Sequence, residues 1–278
     1  MTIVARNKFL AIDSDRALLP RLEKEGARFD LILTDPPYNL KKDFGNRSDH
    51  LSLDDFLATN RARIEACTRL LAPGGSLLWF GIHKYIGYLQ VMMYESGLHY
   101  RRLNIWRYQN GFSRSSRSPR GEYEPFLWFS KSATSWTFNA DAVRVPYKSG
   151  TRLRTPVYYK RADGQKVAWT PNPGGAMRGD IWEFPTLAGK RFAKERTKHP
   201  TQKPAALITE LLKAFSPIDG SGRYSGKVLD PFAGVGTLGV CCELLNREGH
   251  RIEWVSGELE ARWVDVSNQR VGSIKSLR

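Results

Sequence analysis

Apolar positions along the chain follow two rhythms. Mostly apolar runs at Phe29–Thr34, 76–80, 227–229 and 251–256, with a weaker one at 8–12, predict short buried strands. Residues 53–71 instead repeat apolar side chains at helical spacing (Phe56, Leu57, Ile64, Cys67, Leu70, Leu71) and are stopped by Pro73-Gly74-Gly75. The same spacing marks helices over 204–215, opened by Pro204, over 236–246, and over 261–271. Helices alternating with apolar strands predict an α/β fold whose mostly parallel sheet is covered on both faces. Between residues 108 and 198 the rhythm breaks down: Arg, Lys, Tyr, Trp, Gly and Pro dominate, and the segment reads as a separate recognition region.

Composition narrows the setting. The 278 residues are enough for one main domain with a smaller insertion, and 41% hydrophobic content argues against disorder. No apolar run reaches membrane-spanning length, and Arg6 and Lys8 are followed by no apolar leader, so the expectation is a cytoplasmic protein without membrane contact. Cys67, Cys241 and Cys242 lack metal-ligand spacing and read as core residues, and no metal site is expected. Lys and Arg outnumber Asp and Glu by 43 to 28, a net charge of +15 that favours a polyanionic partner. Residues 101–120 concentrate this excess: Arg101, Arg102, Arg107, Arg114, Arg117 and Arg120 occur without one acid, interleaved with Trp106, Tyr108 and Phe112. Such a stretch suits a phosphate backbone and splayed bases, against the plainer reading of a solvated basic loop.

The candidate chemistry lies at two strand ends. Asp35-Pro36-Pro37-Tyr38 follows the run Leu31-Ile32-Leu33-Thr34. An aromatic exocyclic amine is a poor nucleophile because its lone pair is delocalised into the ring. A carboxylate accepting one N–H and a backbone carbonyl accepting the other would draw that nitrogen toward tetrahedral geometry and aim its lone pair. Asp35 and the Pro36 carbonyl can be those acceptors, the two prolines stiffen the loop, and Tyr38 offers a stacking face. The competing reading is an ordinary Pro-rich turn.

The second strand end is Asp230-Pro231-Phe232-Ala233-Gly234-Val235-Gly236, where glycines let a ligand approach the backbone at the carboxyl edge of a parallel sheet. Gly234, Gly236 and Gly239, with Glu258 further on, satisfy a dinucleotide fingerprint, but only 20 residues follow Glu258, too few for the rest of a nicotinamide-binding fold unless the domain is permuted. Glu258 still suits a ribose hydroxyl of an adenosine-bearing cofactor, and is preferred to Glu260, which should already lie in the last helix.

With these motifs in order the chain resembles the β-group amino methyltransferases of DNA, in which a D-P-P-Y loop precedes an F-x-G-x-G cofactor loop. The matching pieces are 32–39, His199-Pro200-Thr201-Gln202-Lys203-Pro204, 230–237 and Gly257-Glu258, joined by Tyr123-Glu124-Pro125 and Gly179-Asp180-Ile181-Trp182. The resemblance implies a permuted Rossmann-like sheet with an inserted target-recognition region: 1–107 as the catalytic half, 108–198 as the reader, 199–278 as the cofactor half. It implies S-adenosylmethionine as cofactor, held by Asp13, Asp35, His199, Thr201, Lys203, Asp230, Phe232, Ala233, Gly234, Gly236, Thr237 and Glu258. Thr201 or Lys203 would meet the methionine carboxylate; Asp13 would contact the adenine, with Asp15 its competitor because Ile12 replaces the family's usual Gly. Asp35, Pro36, Pro37 and Tyr38 would serve an amine flipped out of double-stranded DNA, and Arg107, Arg114, Arg117, Arg120, Lys148, Arg152 and Arg154 would bind that DNA. Adenine N6 is preferred to cytosine N4, whose enzymes more often carry Ser at the loop's first position. A non-catalytic DNA-binding subunit and a nicotinamide oxidoreductase are the rivals. The resemblance further implies a bacterial or phage-encoded, nucleoid-associated enzyme, and leaves open a homodimer and a separately encoded cognate restriction endonuclease.

Overall fold

The computed structural model of the protein describes residues 7–42, 49–110, 116–154 and 157–276. In chain order the elements are β1 (Lys8–Ala11), α1 (Leu19–Lys24), β2 (Phe29–Thr34), α2 (Leu53–Leu70), β3 (Leu71–Phe80), α3 (Ile86–Glu95), β4 (His99–Arg107) and β5 (Tyr123–Ser130). There follow β6 (Val157–Lys160), β7 (Lys166–Trp169), β8 (Ile181–Glu183), α4 (Ala205–Phe215), β9 (Lys227–Asp230), α5 (Thr237–Arg247), β10 (Glu253–Glu258) and α6 (Ala261–Ser276).

Eight strands form one sheet in the order β1-β10-β9-β2-β3-β5-β4-β8, and β6 and β7 pair separately as a two-stranded ribbon. From β1 to β3 every neighbour is parallel; β5 runs antiparallel to both β3 and β4. Side chains alternate between two cores, as the period of two requires. Leu31, Leu33, Leu78 and Phe80 meet α4, α5 and α6 on one face, while Ile32, Leu77 and Trp79 meet α1, α2 and α3 on the other. The three cysteines are fully buried in these cores, as their apolar surroundings predict.

Three sequence expectations change. First, β3 begins at Leu71, directly where α2 stops, and a register shift opposite residues 29–31 takes up Pro73-Gly74-Gly75. Second, 108–198 is not set apart: β5 lies inside the sheet with Phe126, Leu127 and Phe129 fully buried, and β8 pairs with β4. Pro125 disguises β5, yet it stands one residue past the last β3 pair, Phe80 with Phe126, where its carbonyl still accepts the Gly81 N–H at 3.0 Å and only the return bond at the ladder's end is lost. Third, much of the basic stretch at 101–107 is strand: Trp106 is buried with its indole N–H on the Phe184 carbonyl, and Arg101 stacks on Trp136 while bonding Ser130, Ser132 and Ala133. Among the described residues no helix is long and apolar enough to cross a membrane, and no group of three or more His, Cys, Asp or Glu could hold a metal ion.

Candidate active site

The carboxyl ends of β1, β10, β9 and β2 open together into one cavity of about 620 Å³, within the range of small-molecule sites. Its lining includes the loops that follow these strands. After β9, Gly234 (φ +52°) and Gly236 (φ +71°) turn the chain into α5, the Ala233 N–H is held by the Gly257 carbonyl at 2.8 Å, and the Gly234 N–H donates to Glu258 at 2.9 Å. Gly236 does not face the cavity: a Cβ there would lie 2.5 Å from Phe9 and 2.7 Å from Ser267, so this glycine serves the packing behind the loop rather than a ligand. Glu258 also accepts the Glu260 N–H, and burial raises its carboxyl pKa against those two bonds; Glu260 sits before α6 and is not on the cavity wall.

The loop after β2 is tightly held. Asn39 and Lys41 adopt positive φ, and Asp49 secures this bend by accepting the N–H groups of Asn39, Leu40 and Lys42. Asp35 projects into the cavity beside Pro36 and Pro37. Tyr38 lines the cavity but is only 9% exposed; its hydroxyl donates to Asp35, and burial together with Asp35 and Glu124 raises its pKa well above the ordinary phenol value.

Lys203, two residues before α4, is 7% exposed, and its ammonium lies 2.5 Å from Asp35, 3.1 Å from Glu124 and 3.2 Å from the Tyr38 hydroxyl. Burial alone would lower its pKa, but the two carboxylates outweigh that and raise it. This differs from the expected contact with a cofactor carboxylate. His199 lies edge-on to Trp263, with ring centroids 5.0 Å apart, and burial lowers its pKa to about 4, so the ring is neutral at pH 7. Burial raises the Asp230 pKa to about 7, partly opposed by the Phe232 N–H it accepts. Asp13 caps the turn at 14–18 through the N–H groups of Asp15 and Arg16, and Asp15 is engaged by Arg63 at 2.6 and 2.8 Å.

Of the residues the sequence singles out, Asp13, Asp35, Pro36, Pro37, Tyr38, His199, Thr201, Lys203, Asp230, Phe232, Ala233, Gly234, Thr237 and Glu258 all line the cavity, although Asp35 and Glu258 are 223 positions apart (258 − 35). None of the proposed DNA-binding residues does: Lys148, Arg117, Arg152 and Arg154 are exposed elsewhere, Arg107 and Arg120 pair with Glu183 and Glu122, and Arg114 lies outside the described residues. Two side chains emerge that sequence reasoning gave no role. Arg63 lies 4.6 Å over the Phe232 ring, and a buried arginine on the apolar face of α2 is the signal that could have found it. Glu124 arrives on the disguised strand β5, inside a motif quoted without a function.

The chain is similar to known proteins in both sequence and fold. The sequence profile of a family described as DNA methylase matches residues 29–269. The Type II methyltransferase M.HpaI of Haemophilus parainfluenzae is 33% identical over 88% of this chain and 68% of its own length. The DNA adenine methyltransferase YhdJ of Escherichia coli is 30% identical over 87% of this chain and 76% of its own. Two solved structures share the fold: M1.HpyAVI with its SAM ligand (TM-score 0.64, 21% identity, 95% of this chain and 98% of the other) and the cytosine-N4-specific PvuII DNA methyltransferase (TM-score 0.65, 16% identity, 98% and 90%).

Proposed function

Since the chain belongs to the DNA methylase family of N6/N4 amino methyltransferases, we propose that it transfers a methyl group from S-adenosylmethionine to adenine N6 in double-stranded DNA, acting on a base flipped out of the helix. The observation that carries this reading is the meeting of two kinds of loop in one cavity: a glycine turn and a half-buried acid able to hold an adenosine, and Asp35 with the Pro36 carbonyl able to hold an amine. The residues fit the cofactor. Gly234 lets a ligand approach the backbone, and Glu258, braced by two N–H groups on the cavity wall, is a carboxylate able to accept from a ribose hydroxyl. S-adenosylmethionine supplies, when bound, a methyl group on a sulfonium, which passes to the amine while the carbon–sulfur electron pair stays on sulfur. Asp35 and the Pro36 carbonyl accept the two amine N–H groups, and the proton the nitrogen gives up passes to Asp35 or to water. Orientation of this kind is worth up to ~7–11 kcal/mol in favourable cases. No metal is assigned a part.

Adenine is favoured over cytosine by Asp at position 35; the fold itself is shared with a cytosine-N4 enzyme and does not discriminate. Reading of DNA is assigned to 144–169, where Lys148, Arg152 and Arg154 precede the β6–β7 ribbon, whose Lys160, Arg161 and Lys166 accompany Tyr158 (55% exposed), Tyr159 (49%) and Trp169 (41%). A two-stranded ribbon of this width fits a major groove. Expression in a methylation-free host, followed by long-read sequencing of its DNA, tests the whole reading: methyladenine at one recurring sequence is expected. Methylcytosine there would transfer the assignment to N4, and unmodified DNA from a well-folded, cofactor-binding protein would favour an inert subunit.

A further inference from the structure

The resemblance to the family gives Glu124 no role and brings Lys203 near the cofactor, whereas the geometry connects both to Asp35. An ammonium has three N–H donors and no acceptor. Those of Lys203 meet three oxygens, on Asp35 at 2.5 Å, Glu124 at 3.1 Å and Tyr38 at 3.2 Å, so none is left for a cofactor carboxylate. The charge also lies 5.1 to 5.7 Å from the ring centres of Phe80, Tyr38 and Trp106, which wall it from water.

The chain on either side of the lysine is held by side-chain bonds to backbone groups. Gln202 accepts from the Thr197 N–H at 2.8 Å and donates to the Glu195 carbonyl at 3.0 Å, and Glu195 accepts the Ala205 N–H at 2.7 Å. Glu124 reaches the ammonium from the antiparallel strand β5, opposite Trp106 in register. With Tyr38 neutral, two carboxylates and one ammonium leave a single surplus negative charge at the place where an amine gains positive charge on methylation. We propose that Lys203, fixed by Glu124, is a positioning residue for Asp35: it aims that carboxylate and balances its charge for the incoming amine, and it does not hold the cofactor. The inference rests on the amino methyltransferase reading.

Single-turnover methyl transfer at saturating cofactor, measured across pH together with S-adenosylhomocysteine affinity by calorimetry, tests it on Lys203→Met and Glu124→Gln. Wild-type transfer to DNA is the control that reports on the reading itself; a wild type that binds S-adenosylhomocysteine yet never methylates defeats that reading and the inference with it. In an active protein, Lys203→Met should slow transfer on the order of 100-fold while affinity for S-adenosylhomocysteine stays within about threefold, a difference of ~0.7 kcal/mol. The acidic limb of its rate profile should move to higher pH, because the ionised carboxylate loses its cation. Glu124→Gln, less disruptive because it keeps shape and removes only charge, should move that limb to lower pH. The other titratable groups facing Asp35, namely Asp230 and His199, are unchanged in both variants. Opposite displacements are what a merely structural role would not produce. Should Lys203→Met instead weaken S-adenosylhomocysteine binding tenfold or more with near-normal transfer at saturation, the lysine belongs to the cofactor; if Glu124→Gln leaves the limb in place, the inference is overturned even where Lys203→Met does not fold.

Discussion

The proposed function gives Asp35 the amine and Glu258 the cofactor, a division of roles that substitution can measure. Asp35 touches Tyr38 and Lys203 but none of the glycine loop, so Asp35→Ala should lower methyl transfer by about 10²–10³-fold, the size of losing a placed polar group at a reacting centre. S-adenosylhomocysteine binding by the same variant should scarcely change; near-normal turnover would remove Asp35 from the chemistry. Glu258 holds the Gly234 N–H and faces the cavity, so Glu258→Ala should weaken S-adenosylmethionine binding by roughly 1.5–3 kcal/mol while leaving DNA affinity alone. Calorimetry of this variant beside Glu260→Ala checks the assignment: a larger defect in Glu260→Ala would reverse it.

Among the elements, β5 and the β6–β7 ribbon show opposite uses of one segment. Buried on both faces between β3 and β4, β5 cannot be exchanged without rebuilding the core, whereas the ribbon pairs only with itself and leaves its aromatics in solvent. Replacing Lys160, Arg161 and Lys166 together by Ala should therefore leave thermal stability and cofactor affinity near wild type. Each lost phosphate contact should make the logarithmic salt dependence of DNA binding shallower by about one unit, whereas a lost base contact should relax discrimination at one position by ~1–3 kcal/mol. Titrations at several salt concentrations read both. Unaltered DNA affinity and sequence preference would exclude the ribbon as the reader.

Folding the whole chain gathers acids that solvent would otherwise keep apart, and stability should report it through pH. Burial holds Asp230 at about 7, above the ordinary 3.8, so its contribution is complete below that lower value and is lost as pH rises through 7. His199 has the opposite sign: burial lowers it to about 4 from 6.5, so the unfolded chain binds the extra proton between those values and stability rises with pH across them. The two trends oppose each other from about 4 to 6.5. Asp230→Asn removes the falling one, so its melting temperature relative to wild type should increase steadily from pH 4 to pH 7. Scanning calorimetry at matched ionic strength would show this, and a constant difference across that window would mean Asp230 is ionised throughout.

What the sequence determined by itself was the set of elements whose information is local. The apolar runs of β2, β9 and β10, the helical spacing of α2, α4, α5 and α6, and the two motif loops at strand ends all lie within a few turns of chain, where period and turn chemistry speak directly. Their order also led to the family. Only the tertiary structure decided what depends on pairing across distance. Pro125 hid an interior strand because the sequence does not say which ladder positions lack a partner. Trp106 and Arg101 belonged to the fold rather than to DNA, since exposure is a property of the neighbours and not of the residue. Lys203 meets Asp35 across 168 positions and Glu124 across 79 (203 − 124), and Arg63 meets Asp15 across 48; such meetings are fixed when helices close over a sheet, and no local rhythm records them. The strand ends could be read in advance, but the charge balance that arms Asp35 exists only once all the chain is folded around it.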